Sequence, residues 1–173
     1  RSSAGEPGLA VQGHLSLPPT LVVGFGNLLR GDDGVGVRVA QQLMARMLPD
    51  GVEVLEGGTR GLDIVNLMQG RQRAILVDAA AVGRRPGEFV RIELDAMRLR
   101  DADESLSVHA AGLGEALLLA QALHMLPKEV VVFGVQPACL EWSGTLSPQV
   151  EAALPGLMAA VLAEIGTEER KHG

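Results

Sequence analysis

The sequence predicts a three-layer α/β/α fold, with a mostly parallel, twisted sheet of about five strands and helices on both of its faces. Two observations predict this class. Short apolar runs alternate along the chain with longer segments of helical periodicity. The composition is 47% hydrophobic but only 2% aromatic, with 22 glycines, so the core must be built from aliphatic side chains, which is typical of parallel strands buried on both faces.

The first half of the predicted domain contains two strands and two helices. Residues 20–24 form a short apolar run that ends at glycine, as in a buried strand. Residues 34–48 place Val35 and Val39 at helical spacing, and Pro-Asp-Gly follows as a stop. Residues 52–56 alternate as a second strand does, and residues 61–68 predict a short helix.

The second half continues the alternation. Residues 73–79 form the most apolar strand, whereas residues 87–94 alternate between apolar and polar side chains, as in an antiparallel or edge strand. A long apolar helix is predicted over residues 108–126 and a last strand over residues 128–135. Ser-Pro at 147 and 148 predicts the start of a final helix that ends near Ile165.

The domain organisation follows from the length of 173 residues, which suits one domain whose core needs no disulfide or structural metal. We predict a flexible leader over residues 1–19, which are rich in Ser, Gly and Pro. A single α/β domain is expected over residues 20–166 and a polar tail over residues 167–173.

Charge and apolar patterning exclude several classes of partner. The net charge is −6 and the sequence has no basic patch, which argues against nucleic-acid binding. The most apolar stretch, residues 116–126, is too short to span a bilayer, so we expect no membrane association. Cys139 is the single cysteine, which excludes an internal disulfide and a cysteine zinc cluster and agrees with a cytoplasmic location.

Distinctive segments follow the predicted strands. In α/β sheets of this kind, ligands bind beyond the carboxyl ends of the strands. The segments there are GFGNLLRGDDGVGV at residues 24–37, EGGTRG at residues 56–61, Asp78, SVHAAGL at residues 107–113 and GVQPACLEWSGTLSP at residues 134–148.

The first of these loops can be compared with a dinucleotide-binding fingerprint. Gly24 and Gly26 fit, but Leu29 occupies the place of the third glycine. Asp32 and Asp33 lie where the next helix begins, and two carboxylates there would repel a pyrophosphate that needs the same N–H donors. We therefore disfavour nucleotide binding. We expect one aspartate to cap the helix and the other to remain free.

Asp78 and His109 are the other candidates for chemistry. A buried carboxylate is costly unless paired or hydrogen-bonded, so Asp78 either caps the next turn or acts as a ligand or acid/base group at the edge of the sheet. His109 lies in the first turn of the long helix and, taken alone, could equally be structural. With a carboxylate of the first loop, these two residues would form a set that suits a divalent transition metal such as nickel or zinc.

Nucleophilic catalysis is not favoured by the sequence. Cys139 lacks the local signature of a catalytic thiol, and we expect it to be buried and inert. The sequence contains no Gly-x-Ser-x-Gly elbow, which argues against a serine hydrolase of that class.

Taken in order, these segments resemble those of the hydrogenase maturation endopeptidases. The resemblance covers residues 20–165 and depends on the order and spacing of several short motifs. The matching motifs are GFGNLLRGDDGVGV, the glycine-glycine-threonine loop at residues 57–59, LVDA around Asp78, SVHAAGL, and GVQPxxLxxxxxLSP.

The resemblance implies a twisted sheet between helices and a peptidase. Its substrate would be the large-subunit precursor of a nickel–iron hydrogenase, from which a C-terminal extension is removed once nickel has been inserted. Nickel, presented by the precursor, would be the recognition signal, and no tightly bound organic cofactor is implied. The implied metal-binding residues are Asp33, Asp78 and His109, and the candidate catalytic residues are Asp33 and Asp78.

The resemblance also implies a substrate-recognition loop. Its residues would be Glu56, Gly57, Gly58 and Thr59. The family often has Asp where this chain has Glu56, whose longer side chain could reach differently toward the substrate.

Two alternatives stay open at this point. One is a nickel-independent peptidase or other hydrolase on the same phosphorylase-like scaffold. The other is a chaperone that binds nickel or a hydrogenase without cleaving it. Within the peptidase interpretation, the metal could either polarise the scissile bond or only position the substrate.

Overall fold

The computed structural model describes residues 16–59, 63–94 and 113–171. These ranges contain five strands, a short 3-10 turn and four α-helices. The elements are, in chain order, β1 (Thr20–Phe25), the 3-10 turn (Gly31–Gly34), α1 (Val35–Met44), β2 (Val52–Gly58), α2 (Asp63–Met68), β3 (Arg73–Ala79), β4 (Phe89–Leu94), α3 (Leu113–Ala122), β5 (Glu129–Val135) and α4 (Pro148–Lys171).

The strands form one mixed sheet in the order β2-β1-β3-β5-β4. The first four strands of this order are parallel, and β4 is antiparallel to β5 at the edge, as the alternating sequence of residues 87–94 predicted. From β1 the chain moves to β2 on one side and then to β3 on the other. The space between the carboxyl ends of β1 and β3 is therefore the topological switch point, where ligand sites of such sheets are found.

Helices cover both faces of the sheet, so the predicted three-layer α/β/α fold is confirmed. Alternation along the strands sends Leu21 and Leu76 to one face and Val22 and Ile75 to the other. The first face packs against α2 and α3, and the second packs against α1 and α4. Among the described residues, Phe133 is the largest fully buried side chain. The core is otherwise mostly aliphatic, as the composition required.

The last helix is the longest described element. Residues Pro148–Gly166 are apolar and long enough to cross a membrane by length and composition alone. Their apolar side chains are instead buried against the sheet: Val150, Leu154, Leu157, Met158, Val161 and Ile165. The helix continues to Lys171, beyond the predicted end near Ile165, because the Glu, Arg and Lys residues that follow are good helix formers.

Other boundaries also differ from the predictions. Helix α3 ends at Ala122 rather than at the predicted residue 126, because the chain turns at His124, which has a φ of 55°. Helix α1 ends at Met44, earlier than the predicted residue 48. Residues 44–47 are exposed, so a longer helix would bury little more apolar surface. Leu48 lies outside the helix and packs against the core. A 3-10 turn, Gly31–Gly34, precedes α1 where the sequence predicted only a loop and a helix start.

Candidate active site at the carboxyl edge of the sheet

The N-terminus of α1 lies directly against the ends of β1 and β3. A Cβ atom on Gly36 would lie 2.2 Å from the carbonyl oxygen of Val77 and 2.4 Å from that of Phe25. Gly26 has a φ of 124°, and a Cβ atom there would lie 1.6 Å from the carbonyl oxygen of Asp33. The glycines of the first loop therefore allow close backbone packing, which brings the 3-10 turn to the switch point.

Asp33 is held in this turn by the loop that precedes it. The backbone N–H of Asn27 donates a hydrogen bond to Asp33 Oδ2 over 2.8 Å. The side-chain oxygen of Asn27 in turn accepts a hydrogen bond from the N–H of Leu29 at 2.9 Å, so the loop is stabilised by its own residues. The Asp33 side chain is only partly buried and is therefore accessible from the carboxyl edge of the sheet.

Asp78 lies near the end of β3, opposite Gly134 of β5, and only 8% of it is exposed. Burial, together with the negative charge of nearby Asp33, raises the pKa of its carboxyl from 3.8 to about 7, and a hydrogen bond from the Ala79 N–H opposes this rise. The two carboxylates predicted to act together are thus brought together. Within the described ranges no ion pair reaches either of them.

Asp32 has a different role from the one predicted. It is fully buried, and its Oδ2 accepts the N–H groups of Ala138 at 2.8 Å and Cys139 at 3.0 Å, while its Oδ1 accepts that of Ser147 at 2.6 Å. Neither Asp32 nor Asp33 caps α1, whose N-cap is Gly34 with no side-chain hydrogen bond. The helix-cap prediction was wrong because the 3-10 turn separates both carboxylates from the helix N-terminus.

The loop after β5 packs against the loop after β1. Gly31 N–H donates to the carbonyl of Ser143 at 2.8 Å, and the Arg30 guanidinium lies 5.8 Å from the ring centroid of Trp142. Cys139 was predicted to be buried but is exposed, because this loop runs over the surface while its backbone groups bind Asp32. Ser147 was correctly predicted as a cap, since its hydroxyl accepts the Val150 N–H at 3.4 Å.

The predicted recognition loop lines a cleft of about 390 Å³ at the end of β2. The cleft adjoins the Asp33 loop, because Gly26 N–H donates to the Gly58 carbonyl at 2.9 Å. Glu56 and Thr59 are exposed at its rim. The residues that line it are Phe25, Glu56, Gly57, Gly58, Thr59, Asp63, Ile64 and Leu67.

The third predicted ligand, His109, lies outside the described residues, so its position stays a prediction. Within those residues, no group of three or more His, Cys, Asp or Glu side chains is arranged to hold a metal. The pair of Asp33 and Asp78 supplies two oxygen donors, which fit a divalent cation only if further ligands come from elsewhere.

A buried charge cluster was not anticipated from the sequence. Arg73, 3% exposed at the start of β3, pairs with Glu164 of α4, and Glu164 also accepts from Arg91 Nε at 2.6 Å. The hydrogen bonds from Arg91, together with the positive charges of Arg73 and Arg91, hold the pKa of Glu164 below its usual range. The cluster lies at the opposite end of β3 from Asp78 and ties α4 to the sheet. An arginine that begins a buried strand is a signal that could have indicated it.

Comparison with known proteins gives the class to which this fold and site belong. The model of a family described as hydrogenase maturation protease matches residues 37–164. Asp78 and His109 lie inside the match, and Asp33 lies just before it.

Individual relatives agree over most of their length. Hydrogenase expression/formation protein HupD of Bradyrhizobium diazoefficiens is 37% identical over 151 residues, which covers 84% of this chain and 79% of that protein. Hydrogenase 2 maturation protease of Escherichia coli is 35% identical over 153 residues, covering 84% and 89%. The solved structure of the hydrogenase maturating endopeptidase HybD from E. coli superposes with a TM-score of 0.74 at 34% identity, covering 89% and 93%.

The chain therefore belongs to the hydrogenase maturation protease family, as its motifs indicated, and its fold is that of solved members. Membership supports a peptidase activity for this chain.

Proposed function

We propose that this protein is an endopeptidase that removes the C-terminal extension from the large-subunit precursor of a nickel–iron hydrogenase after nickel insertion. Nickel held by the precursor is the recognition signal and belongs to the substrate, and the enzyme needs no tightly bound organic cofactor. Family membership supports the class of reaction. The observation that carries the rest is the buried Asp78 carboxyl beside Asp33, with no cation from the described residues to balance them.

Such a pair is suited to a cation that arrives with the substrate. Two adjacent carboxylates in a nearly buried site repel each other, and a divalent ion placed between them removes both the repulsion and the proton of Asp78. Carboxylate oxygens, joined by the imidazole of His109, would complete the coordination of an ion already held by thiolates of the precursor. The enzyme alone lacks those soft ligands, so it should bind nickel weakly.

Peptide hydrolysis needs a group that moves a proton. A water oxygen attacks the scissile carbonyl carbon and gives one proton to a carboxylate, which returns it to the leaving amine as the C–N bond breaks. Asp78 is the first candidate for this carboxylate, because it lies near the end of β3 beside Asp33. Asp33, fixed by the Asn27 N–H, is the second candidate for the base. The metal of the substrate would polarise the carbonyl or the water, or would only hold the precursor in place.

Substrate recognition is assigned to the cleft at the end of β2. Its floor is formed by Phe25, Ile64 and Leu67, and its rim by the loop from Glu56 to Thr59. The apolar floor would hold side chains of the precursor near the cleaved bond, while Glu56 contacts a polar or cationic group. The reaction would take place in the cytoplasm, where the exposed thiol of Cys139 stays reduced.

Single alanine variants of Asp33, Asp78 and His109 test the proposal with nickel-loaded precursor as substrate. We expect each variant to lose at least about a hundredfold in cleavage rate, because each removes a group that contacts the metal or the reacting atoms. Asp50→Ala is a matched control, since Asp50 is exposed in the loop between α1 and β2, at the opposite end of the sheet. Full activity in all three site variants would contradict the proposed function.

The same assay separates the two alternatives. Equal cleavage of nickel-loaded and nickel-free precursor would indicate a peptidase that does not use nickel. A stable complex with the precursor and no product would indicate a chaperone.

A further inference from the structure

A buried carboxylate joins the two loops that border the proposed site. Asp32 is 0% exposed, and its two oxygens accept three backbone N–H groups from the late loop, which we define as residues 136–147. Two of these donors, Ala138 and Cys139, lie at the beginning of the late loop, and the third, Ser147, lies at its end. One side chain therefore fixes both ends of this loop.

The backbones of the two loops extend this connection. Asp32 N–H donates to the Cys139 carbonyl at 3.0 Å, and Gly31 N–H donates to the Ser143 carbonyl at 2.8 Å. Ser143 N–H donates to the Leu29 carbonyl at 2.9 Å. The loop after β1 and the late loop thus form one hydrogen-bonded unit, with Asp32 as its buried anchor.

This unit carries Asp33, which follows Asp32 directly. The side chains of the two aspartates bind different loops. Asp32 accepts hydrogen bonds from the late loop, and Asp33 accepts one from the N–H of Asn27 in the loop after β1. Because the 3-10 turn is only four residues long, a displacement of Asp32 must move Asp33 with it. The distance between Asp33 and Asp78 therefore depends on the anchor.

We propose that Asp32 is a positioning residue of the peptidase: it sets Asp33 at its place beside Asp78 and holds the late loop at the rim of the site. This inference rests on the proposed function for its catalytic readout. Asp32 does not itself face the substrate, because its side chain is enclosed by the backbone of the late loop.

Only a carboxylate provides the hydrogen-bond acceptors that this position needs. Three N–H donors converge on two oxygens, and an ionised carboxylate offers acceptors on both sides and no donor. In Asp32→Asn, one oxygen becomes an NH2 group, which places a donor against one or two of these N–H groups. The variant keeps the volume of the side chain but loses part of the anchor.

The test uses two readouts on Asp32→Asn. The first is steady-state cleavage of nickel-loaded precursor, where we expect kcat to fall between about tenfold and a hundredfold while KM changes less than about threefold, as is expected for a misplaced catalytic group. The second is acrylamide quenching of Trp142, the only tryptophan, which is 76% exposed in the late loop. We expect its quenching constant and emission maximum to change, because the loop has lost its anchor.

Two control variants separate positioning from general stability and from catalysis. Glu164→Gln removes a buried carboxylate at the far end of β3, so it should lower Tm but leave kcat and Trp142 quenching as in the wild type. Asp33→Asn should abolish cleavage and leave Trp142 quenching unchanged. If the wild-type protein does not cleave the precursor at all, the proposed function fails, while the Trp142 readout still tests the anchor.

A second variant keeps the proposal testable if Asp32→Asn does not fold. Ala138→Pro removes one of the three donors and leaves Asp32 in place. We expect smaller changes in kcat and in Trp142 quenching in the same direction. A folded Asp32→Asn or Ala138→Pro protein with wild-type kcat and wild-type quenching would overturn the proposal.

Discussion

Asp33 and Asp78, which are 45 positions apart in the sequence, lie close enough at the switch point of the sheet for the charge of Asp33 to act on the Asp78 carboxyl. The negative charge of Asp33 adds to the effect of burial and raises the pKa of the Asp78 carboxyl to about 7. Near neutral pH the Asp78 carboxyl is therefore partly protonated, and the pair carries less than two full negative charges. This is an unfavourable arrangement for the protein alone and a favourable one for a protein that meets a metal in its substrate.

The first prediction concerns stability and pH. Folding raises the pKa of Asp78 above its ordinary value of 3.8, so the folded state binds this proton more tightly than the unfolded state does. The bound proton therefore stabilises the folded state at low pH, and this stabilisation is lost as the pH rises to about 7. Above pH 7 the loss is on the order of 4 kcal/mol. Asp78→Asn should remove it, so that urea unfolding at pH 8 gives a larger free energy than for the wild type. A lower free energy at pH 8 would contradict this account.

The second prediction concerns the source of the raised pKa. Burial is the larger cause and the charge of Asp33 the smaller one. Asp33→Asn should therefore lower the pKa of Asp78 but leave it above 3.8, as measured from the carboxyl carbon chemical shift of Asp78 against pH. An unchanged titration would mean that the two side chains do not interact.

The third prediction concerns the packing of α1. Gly36→Ala should destabilise the protein by about 3 kcal/mol or more, or prevent folding, because its Cβ atom would overlap two backbone carbonyl groups that cannot move aside. Gly156→Ala in α4 is the matched control, since no atom lies within 4 Å of its Cβ position. That change should stabilise the protein by about 0.5–1 kcal/mol. Equal effects in thermal unfolding would refute the close approach of α1 to the strand ends.

The fourth prediction concerns the buried charge cluster. Glu164→Gln removes the carboxylate shared by Arg73 and Arg91. Because buried Arg73 then keeps, among the described residues, only the ion pair with the more exposed Glu129, at 3.3 Å, we expect a loss of about 3 kcal/mol. The exposed pair of Arg85 and Glu88 provides the comparison, and Glu88→Gln should hardly change the urea midpoint. If both variants unfolded at the same urea concentration, the cluster would have no special role in attaching α4.

The fifth prediction concerns metal binding by the enzyme alone. Ni²⁺ must displace the proton of Asp78, so its weak affinity should rise as pH increases and level off above about 7. Titration calorimetry at about pH 6, 7 and 8, which lie below, at and above the pKa of Asp78, would measure this. Asp78→Asn should bind Ni²⁺ more weakly and with a smaller pH dependence, because the carboxyl proton no longer has to be displaced. Tight binding that is independent of pH would show that other residues hold the metal.

Much of the fold could be predicted from the sequence, because strand periodicity, turn residues and strand–helix alternation are local signals. The apolar run before Asp78 and the alternation of β4 identified a buried strand and an edge strand, and the rule for switch points then directed attention to Asp33. The position of His109 stays a prediction.

The remaining features depend on partners that are distant in the sequence. The sequence predicts that either Asp33 or Asp32 caps the helix, because Asp is a preferred N-cap residue, and it gives no sign of the buried role of Asp32. Its actual partners are backbone N–H groups more than 100 positions away, and main-chain donors leave no pattern in a sequence. The exposure of Cys139 has the same origin, since the loop that carries it is held by Asp32.

The decisive experiment for the role of nickel compares the cleavage of nickel-loaded and nickel-free precursor by the wild-type enzyme and by Asp78→Asn. We expect the wild-type enzyme to cleave the loaded precursor rapidly and the nickel-free precursor little or not at all. In the variant this difference should be lost, because neither form is cleaved. Equal cleavage of both precursors by the wild-type enzyme, or undiminished cleavage by Asp78→Asn, would contradict the proposed function.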